Sequence, residues 1–170
     1  LGAMWGEVDF DAKIWTIPAE RTKIAKAHHV PFSDRADDLL QQLHDGRTSD
    51  FIFPSNAPTK RGTSRTGKQN LSVSDRERPL SNMSMLMLLR RMKVEGVTVH
   101  GFRSAFRDWC GDATDYPREL AEAALAHRVG NSVEQAYRRS TALEKRRRLM
   151  QDWADYLAGA AKDERSTDDK

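Results

Sequence analysis

The stretch GEVDFDAKIWTIPAERTKIAKAHHVPFS, residues 6–33, decides the first part of the fold. Its first half, VDFDAKIWTIP, is rich in β-branched and aromatic residues and contains a polar turn at Asp11–Lys13, which is typical of a β-hairpin. A third apolar segment, HHVPF, predicts another strand over residues 28–32. The polar connection before it carries Lys23 and Lys26. We therefore expect a small three-stranded antiparallel sheet near the N-terminus.

The rest of the chain is typical of helices. The segment SDRADDLLQQLHDG has a capping residue at Ser33 or Asp34 and a terminating glycine, Gly46. From Leu80 onward the pattern predicts helices throughout, over 80–96, 101–113, 116–127, a short segment around Tyr137, and about 143–158. Capping-box signatures introduce the last two, at Ser132/Gln135 and Thr141/Glu144. The final helix places Leu143, Met150, Trp153 and Leu157 on one apolar face.

The middle of the chain is basic. Residues 51–110 hold 11 Lys and Arg against 4 Asp and Glu, a balance of +7 within a total of +3. This indicates a surface that faces a polyanion, and a solvated basic face is the alternative. Residues 54–79 read as a long loop of Pro, Gly, Ser, Thr and charged residues. Its candidates for contacts with a phosphate backbone are Lys60, Arg61, Arg65 and Lys68, and a linker that binds nothing is an equal alternative.

Composition excludes several classes of protein. With 170 residues the chain has the length of one domain, and its single cysteine, Cys110, excludes an internal disulfide framework. The sequence contains no apolar run of membrane-spanning length, no signal-peptide pattern and no Cys/His spacing of a zinc site. We therefore expect a protein of the reducing cytosol, without a membrane partner or a bound metal.

Four polar residues near helix ends form the candidate catalytic group. His100 and Arg103 are three residues apart at a helix N-terminus, His127 ends a helix, and Tyr137 follows ten residues later. Arginine suits phosphate oxygens, and imidazoles supply further hydrogen-bond donors. Cations would favour the phenolate of a tyrosine, whose ordinary pKa is about 10. Each residue alone has a structural explanation, so the prediction of phosphoryl transfer to Tyr137 depends on their order and spacing.

The segments HGFRSAFRDW, ALAHRVGNSVEQAYRRS and LEKRRRLMQDWADY resemble the catalytic domain of tyrosine recombinases, the phage integrase family, nearest to integrases of satellite prophages and genomic islands. Residues 6–33 are similar to the three-stranded sheet of that group. The resemblance implies that Tyr137 is the nucleophile and that His100, Arg103 and His127 hold the phosphate. It implies that Lys23 protonates the leaving 5′ oxygen, with Lys26 as the weaker candidate.

The resemblance also implies a mainly helical α+β fold and a site-specific recombinase that integrates and excises a mobile DNA element through a 3′-phosphotyrosyl intermediate. Such an enzyme acts on double-stranded attachment sites in the bacterial cytosol, as a tetramer on DNA with accessory DNA-bending or excision proteins, and needs no cofactor. A type IB topoisomerase and a non-catalytic DNA-binding module are the alternatives.

The domain prediction is a catalytic domain over residues 1–158 and a polar, disordered tail over 159–170. The resembling family carries a further arginine on a helix before the sheet, and the chain begins past that position. Because removal of one preorganised donor to a transition-state oxyanion typically slows a reaction about 100- to 1,000-fold, we expect slow cleavage by this chain alone.

Overall fold

The computed structural model describes residues 2–55, 78–127 and 139–167. Within them the chain forms a three-stranded antiparallel sheet and five helices, which confirms the mainly helical α+β fold. The helices are α1 (Asp34–Asp45), α2 (Ser84–Arg91), α3 (Gly101–Asp112), α4 (Arg118–Ala124) and α5 (Arg139–Thr167). The predicted short helix around Tyr137 and almost all of the predicted loop lie outside the described residues.

The sheet has the predicted position and order. Its strands are β1 (Val8–Asp9), β2 (Ile14–Ile17) and β3 (His28–Pro31), in the order β1-β2-β3. The tight turn between β1 and β2 forms because a carboxylate oxygen of Asp9 accepts a hydrogen bond from the amide of Ala12 at 2.8 Å. The connection from β2 to β3 is longer. Ile17 at the end of β2 pairs with His28 at the start of β3, and the chain leaves the sheet between them.

Helix α1 is joined to the β1–β2 turn by charge. Ser33 caps the helix, and its hydroxyl accepts a hydrogen bond from the amide of Ala36 at 3.3 Å. The ammonium of Lys13 lies 2.9 Å from the carboxylate of Asp34 and 3.1 Å from that of Asp37. Because Asp37 is buried, this ion pair holds the hairpin against the first turn of the helix.

The main core lies between α3, α4 and α5. Its buried side chains are Phe106, Trp109, Cys110, Leu120, Ala121 and Leu149. Trp153 of α5 packs against this cluster, edge-on to Phe106 at 5.6 Å between ring centroids and 5.0 Å from Trp109. Phe102, also on α3, lies outside this core and is 52% exposed. The apolar face of α5 is rotated from the expected one, because Leu149 is fully buried and Leu157 is exposed.

Helix α2 is shorter than predicted. It ends at Arg91 instead of Gly96, and the prediction of continuous helix from Leu80 is wrong for the residues that lead to α3. Lys93 adopts a left-handed conformation (φ 56°), and the amide of Val94 donates to the carbonyl of Leu89 at 3.1 Å. This is a Schellman cap, in which a lysine occupies the position that glycine usually takes.

Helix α5 is longer than predicted, and it links the sheet to the helical core. It begins at Arg139, so Thr141 lies inside the helix and does not cap it, and it continues beyond Ala158 to Thr167. The guanidinium of Arg146 donates to the carbonyl of His29 at 2.9 Å, and that of Arg147 donates to the carbonyl of Ala12 at 3.0 Å. These contacts attach α5 to both ends of the sheet. None of the described helices combines the length and apolar character needed to cross a membrane.

Candidate active site

The structure brings Arg103 and His127 together from different helices. Arg103 lies in the first turn of α3, and His127 follows the end of α4. The guanidinium nitrogen Nη2 of Arg103 lies 2.9 Å from Nε2 of His127, and it also donates to the carbonyl of Leu125 at 2.6 Å. Both side chains are exposed, so a ligand can reach them. Residues 24 positions apart in sequence thus form one exposed polar surface.

The backbone of His127 is held by the way in which α4 ends. Its amide donates to the carbonyl of Glu122 at 2.9 Å, and the amide of Ala126 donates to that of Ala123 at 3.2 Å. These are the two bonds of a Schellman cap, which requires a left-handed residue at Ala126 (φ 56°). An alanine there is strained by about 1 kcal/mol relative to glycine. The strained turn fixes the direction in which His127 leaves the helix.

Glu122 is a member of the site that the sequence analysis missed. Its carboxylate accepts a short hydrogen bond from Nδ1 of His127 and lies 3.1 Å from Arg107 and 3.8 Å from Arg118. The hydrogen bond from His127 lowers the pKa of Glu122, and the charge of Arg107 adds to this effect against partial burial. The signal in the sequence is a carboxylate five residues before a histidine, which a helix followed by a tight turn brings back to the same side.

His100 is the residue directly before α3. Its carbonyl accepts a hydrogen bond from the amide of Arg103 at 3.0 Å, and Thr98 caps the helix by accepting from the amide of Gly101 at 3.0 Å. The imidazole of His100 is exposed and makes no side-chain hydrogen bond with another described residue. The structure therefore places it one helical turn from Arg103, as the spacing predicted.

Lys23 lies on the surface in the connection between β2 and β3. This connection closes on itself, because the hydroxyl of Thr22 donates to the carbonyl of Lys26 at 2.8 Å and accepts from its amide at 3.2 Å. Neither lysine makes an ion pair with another described residue, and both are exposed. Among the described residues no hydrogen bond or ion pair joins Lys23 to Arg103 or His127, so its role stays a prediction.

His28, at the far end of that connection, is a second residue that the sequence analysis missed. Burial lowers the pKa of His28, and the charges of Arg146 and Arg103 lower it further, while the carbonyl of Ala124 opposes the shift. These residues that act on its pKa thus belong to α3, α4 and α5. The signal in the sequence was the pair of histidines at the start of the third strand.

Two of the three tyrosines are placed by the structure. The hydroxyl of Tyr116 donates to the carboxylate of Asp152 at 2.5 Å, which raises the pKa of Tyr116 to about 12 and disfavours its phenolate. Tyr156 is 51% exposed and stacks on Trp153, at 5.7 Å between ring centroids. The predicted nucleophile, Tyr137, and the predicted phosphate-contacting residues Lys60, Arg61, Arg65 and Lys68 lie outside the described residues.

Comparison with known proteins finds a family and several relatives. The phage integrase family matches residues 1–144. The prophage integrase IntA of Escherichia coli K12 is 38% identical over 162 residues, which cover 93% of this chain and 34% of that protein. The integrase of Shigella phage Sf6 is 32% identical over 90% of this chain and 36% of its own length, and that of enterobacteria phage P4 is 31% identical over 91% and 35%. The chain thus spans about a third of the length of these curated relatives. No solved structure gives a significant match.

Proposed function

The chain belongs to the phage integrase family of tyrosine recombinases, and from this we propose that it carries the catalytic centre of a site-specific recombinase that integrates or excises a mobile DNA element. The observation that carries the proposal is the contact between Arg103 and His127. These two residues were selected from sequence as ligands of one phosphate, and they lie 2.9 Å apart on an exposed surface. A guanidinium beside an imidazole suits the non-bridging oxygens of a phosphodiester.

The reaction we propose is transfer of a DNA phosphoryl group to Tyr137. The phenolic oxygen gives up its proton to solvent as it attacks phosphorus, the bond from phosphorus to the 5′ oxygen breaks, and the protein is left joined to the 3′ end. Arg103, His127 and His100 stabilise the charge on the phosphate oxygens. Lys23 gives its proton to the leaving 5′ oxygen. Because the phosphodiester energy stays in the phosphotyrosine, the reverse reaction with another 5′ hydroxyl rejoins the strands without a cofactor.

The choice of tyrosine is supported by elimination. Tyr116 is committed to Asp152, and its raised pKa disfavours the phenolate. Tyr156 has ring contacts with Trp109 and Trp153, where α5 packs on the core. Tyr137 lies between His127 and the start of α5, so the chain can bring it back toward Arg103.

The partners are proposed from the same family membership. Double-stranded DNA at an attachment site is the substrate, a tetramer assembled on DNA performs the strand exchange, and accessory DNA-bending or excision proteins set its direction. The bacterial cytosol is the compartment in which such DNA is available.

The test is covalent capture of DNA. The chain is incubated for long times with a pool of duplexes that carry randomised sequence around a nick, so that the short cleaved strand diffuses away and rejoining fails. Adducts that survive detergent are isolated and sequenced. We expect adducts with the wild-type chain and none with Tyr137→Phe, which should bind DNA normally because it loses only the attacking oxygen.

Tyr156→Phe is the matched control, since it removes a hydroxyl from an exposed tyrosine and should keep the adduct. An adduct that persists in Tyr137→Phe would contradict the assignment of the nucleophile. Salt-sensitive binding with no adduct would indicate a DNA-binding module instead of an enzyme.

A further inference from the structure

The contact between Arg103 and His127 has a defined direction. A guanidinium can only donate hydrogen bonds, so Nε2 of His127, 2.9 Å from Nη2 of Arg103, must accept and therefore carries no proton. The carboxylate of Glu122 can only accept, so Nδ1 of His127, which faces it, must carry the proton. These two contacts together fit an imidazole of His127 whose single proton is on Nδ1.

Glu122 stays ionised in this arrangement. The side chain is only 16% exposed, but two guanidiniums lie beside it, Arg107 at 3.1 Å and Arg118 at 3.8 Å. Its pKa is lowered, chiefly by the hydrogen bond from His127. The Schellman cap also binds the backbone of His127 to the carbonyl of the same glutamate, so the imidazole and the carboxylate keep their relative position.

This arrangement conflicts with phosphate binding as long as His127 is neutral. To donate to a phosphate oxygen, Nε2 needs a proton. Moving the proton from Nδ1 to Nε2 would set the Nδ1 lone pair against the carboxylate of Glu122, which is repulsive. The remaining route is the gain of a second proton, which gives an imidazolium that donates to Glu122 on one side and to the phosphate on the other.

Charged side chains approach His127 from two helices. Arg103 and Arg107 approach from α3 and Arg118 from α4 itself. The charges of Arg146 of α5 and of Arg103 also act on His28 of β3. Several cations therefore surround a single carboxylate, and a bound phosphate would add a negative charge beside Nε2 of His127.

We infer that binding of a DNA phosphate at Arg103 and His127 is coupled to the uptake of one proton from solvent at Nε2 of His127, and that Glu122 is the positioning residue that imposes this coupling. The inference rests on the proposed function, because the ligand is the phosphodiester of that reaction. It adds that the affinity for DNA depends on pH through one histidine. The proton comes from water or buffer, and no bond other than N–H is made.

The direct test is nitrogen NMR of the chain labelled with ¹⁵N-histidine, at neutral pH, with and without a short DNA duplex. The ring nitrogen shifts distinguish the two neutral tautomers from the cation, and His127→Asn identifies the signals. We expect the Nδ1-protonated neutral ring without DNA and the cation with DNA. Calorimetry in buffers of different ionisation heat should report uptake of about one proton, and affinity should fall with rising pH by up to about tenfold per unit.

Glu122→Gln is the informative variant. Its amide can turn an N–H toward Nδ1, which permits the neutral tautomer with the proton on Nε2, so DNA should bind without proton uptake and with a shallower pH dependence. Glu119→Gln is the matched control, since it removes the same charge from α4 at an exposed position and should keep the uptake.

A ring of His127 that stays neutral while DNA is bound would overturn the inference, and so would a Glu122→Gln variant with undiminished uptake. Either result leaves the proposed function standing if the Tyr137-dependent adduct forms. If wild type binds no DNA, both proposals fail together. Should Glu122→Gln not fold, the NMR and pH profile of the wild-type chain decide the question alone.

Discussion

Trp153→Ala should destabilise the domain by an amount that the packing of α5 sets. The indole lies against Trp109 and edge-on to Phe106, with ring centroids 5.0 and 5.6 Å away, and Tyr156 covers its outer side. Truncation of a fully buried Trp typically costs 3–5 kcal/mol, which includes the cavity that it leaves. Because Trp153 is only partly buried, we expect a loss of about 2–4 kcal/mol in the free energy of unfolding.

The assay is thermal melting by circular dichroism, supported by urea titration. For a domain of this size each kcal/mol lowers the melting temperature by roughly 2–4 °C, so a loss of about 3 kcal/mol predicts a decrease of roughly 6–12 °C. Leu157→Ala, one turn further along α5 and 47% exposed, is the matched control and should change stability by less than about 0.5 kcal/mol.

Cleavage should fall together with stability, because α5 begins just after Tyr137 and is attached to the sheet through Arg146. The shift should not depend on protein concentration, since the ring contacts of Trp153 lie within one chain. A decrease below about 2 °C would refute the packing argument. A decrease that grows on dilution would indicate that the helix docks on a second copy.

Three further predictions concern the capping turn, the general acid and the basic loop. Ala126→Gly should stabilise the domain by up to about 1 kcal/mol in urea titration, because glycine takes the left-handed conformation (φ 56°) without strain; a loss of stability would contradict the capping argument. Lys23→Ala should slow cleavage of an ordinary 5′-oxygen substrate but not of one with a 5′-thiol leaving group, which needs no proton. Lys26→Ala should slow neither, and the reverse pattern would exchange the two roles. The four cations of the basic loop are Lys60, Arg61, Arg65 and Lys68. Replacing all four by alanine should reduce the slope of log affinity for DNA against log salt concentration by up to about four charges. An unchanged slope would indicate a linker that binds nothing.

The sheet and α1 could be predicted because their signals are local. Alternating apolar residues and a polar turn define the hairpin, and a serine followed by an amphipathic segment and a glycine defines the helix. The ends of α2 and α4 could not be placed, because both helices stop at a left-handed residue that is not glycine, Lys93 or Ala126. A prediction that ends a helix only at a glycine therefore extends α2 to Gly96.

The core of α5 was only partly predictable for a different reason. The choice of Leu143, Met150, Trp153 and Leu157 followed helical periodicity, but several rotations of an amphipathic helix satisfy such a pattern. Which rotation occurs depends on the facing side chains of α3 and α4. Packing against Phe106 and Trp109 turns Leu149 inward and leaves Leu157 at the surface.

In the candidate site, some residues could be selected from their chemistry, and others are brought in only by the fold. Arg103 and His127 could be selected because their side chains have few other uses in that order and spacing, and the structure confirms that they meet. Glu122 could not be selected from the sequence, because a glutamate on a helix is usually a solvated residue. Only the turn after α4 brings His127 back onto it. The position of His127 against Glu122 is therefore set by the cap of a helix.

The attachment of α5 to the sheet could not be predicted either, because its acceptors are backbone carbonyls that no sequence pattern marks. Arg146 reaches the carbonyl of His29 in β3. The strand that ends the Lys23 connection is thus held by the helix that begins at Arg139. Movement of α5 would therefore shift β3 and, with it, one end of the connection that carries Lys23.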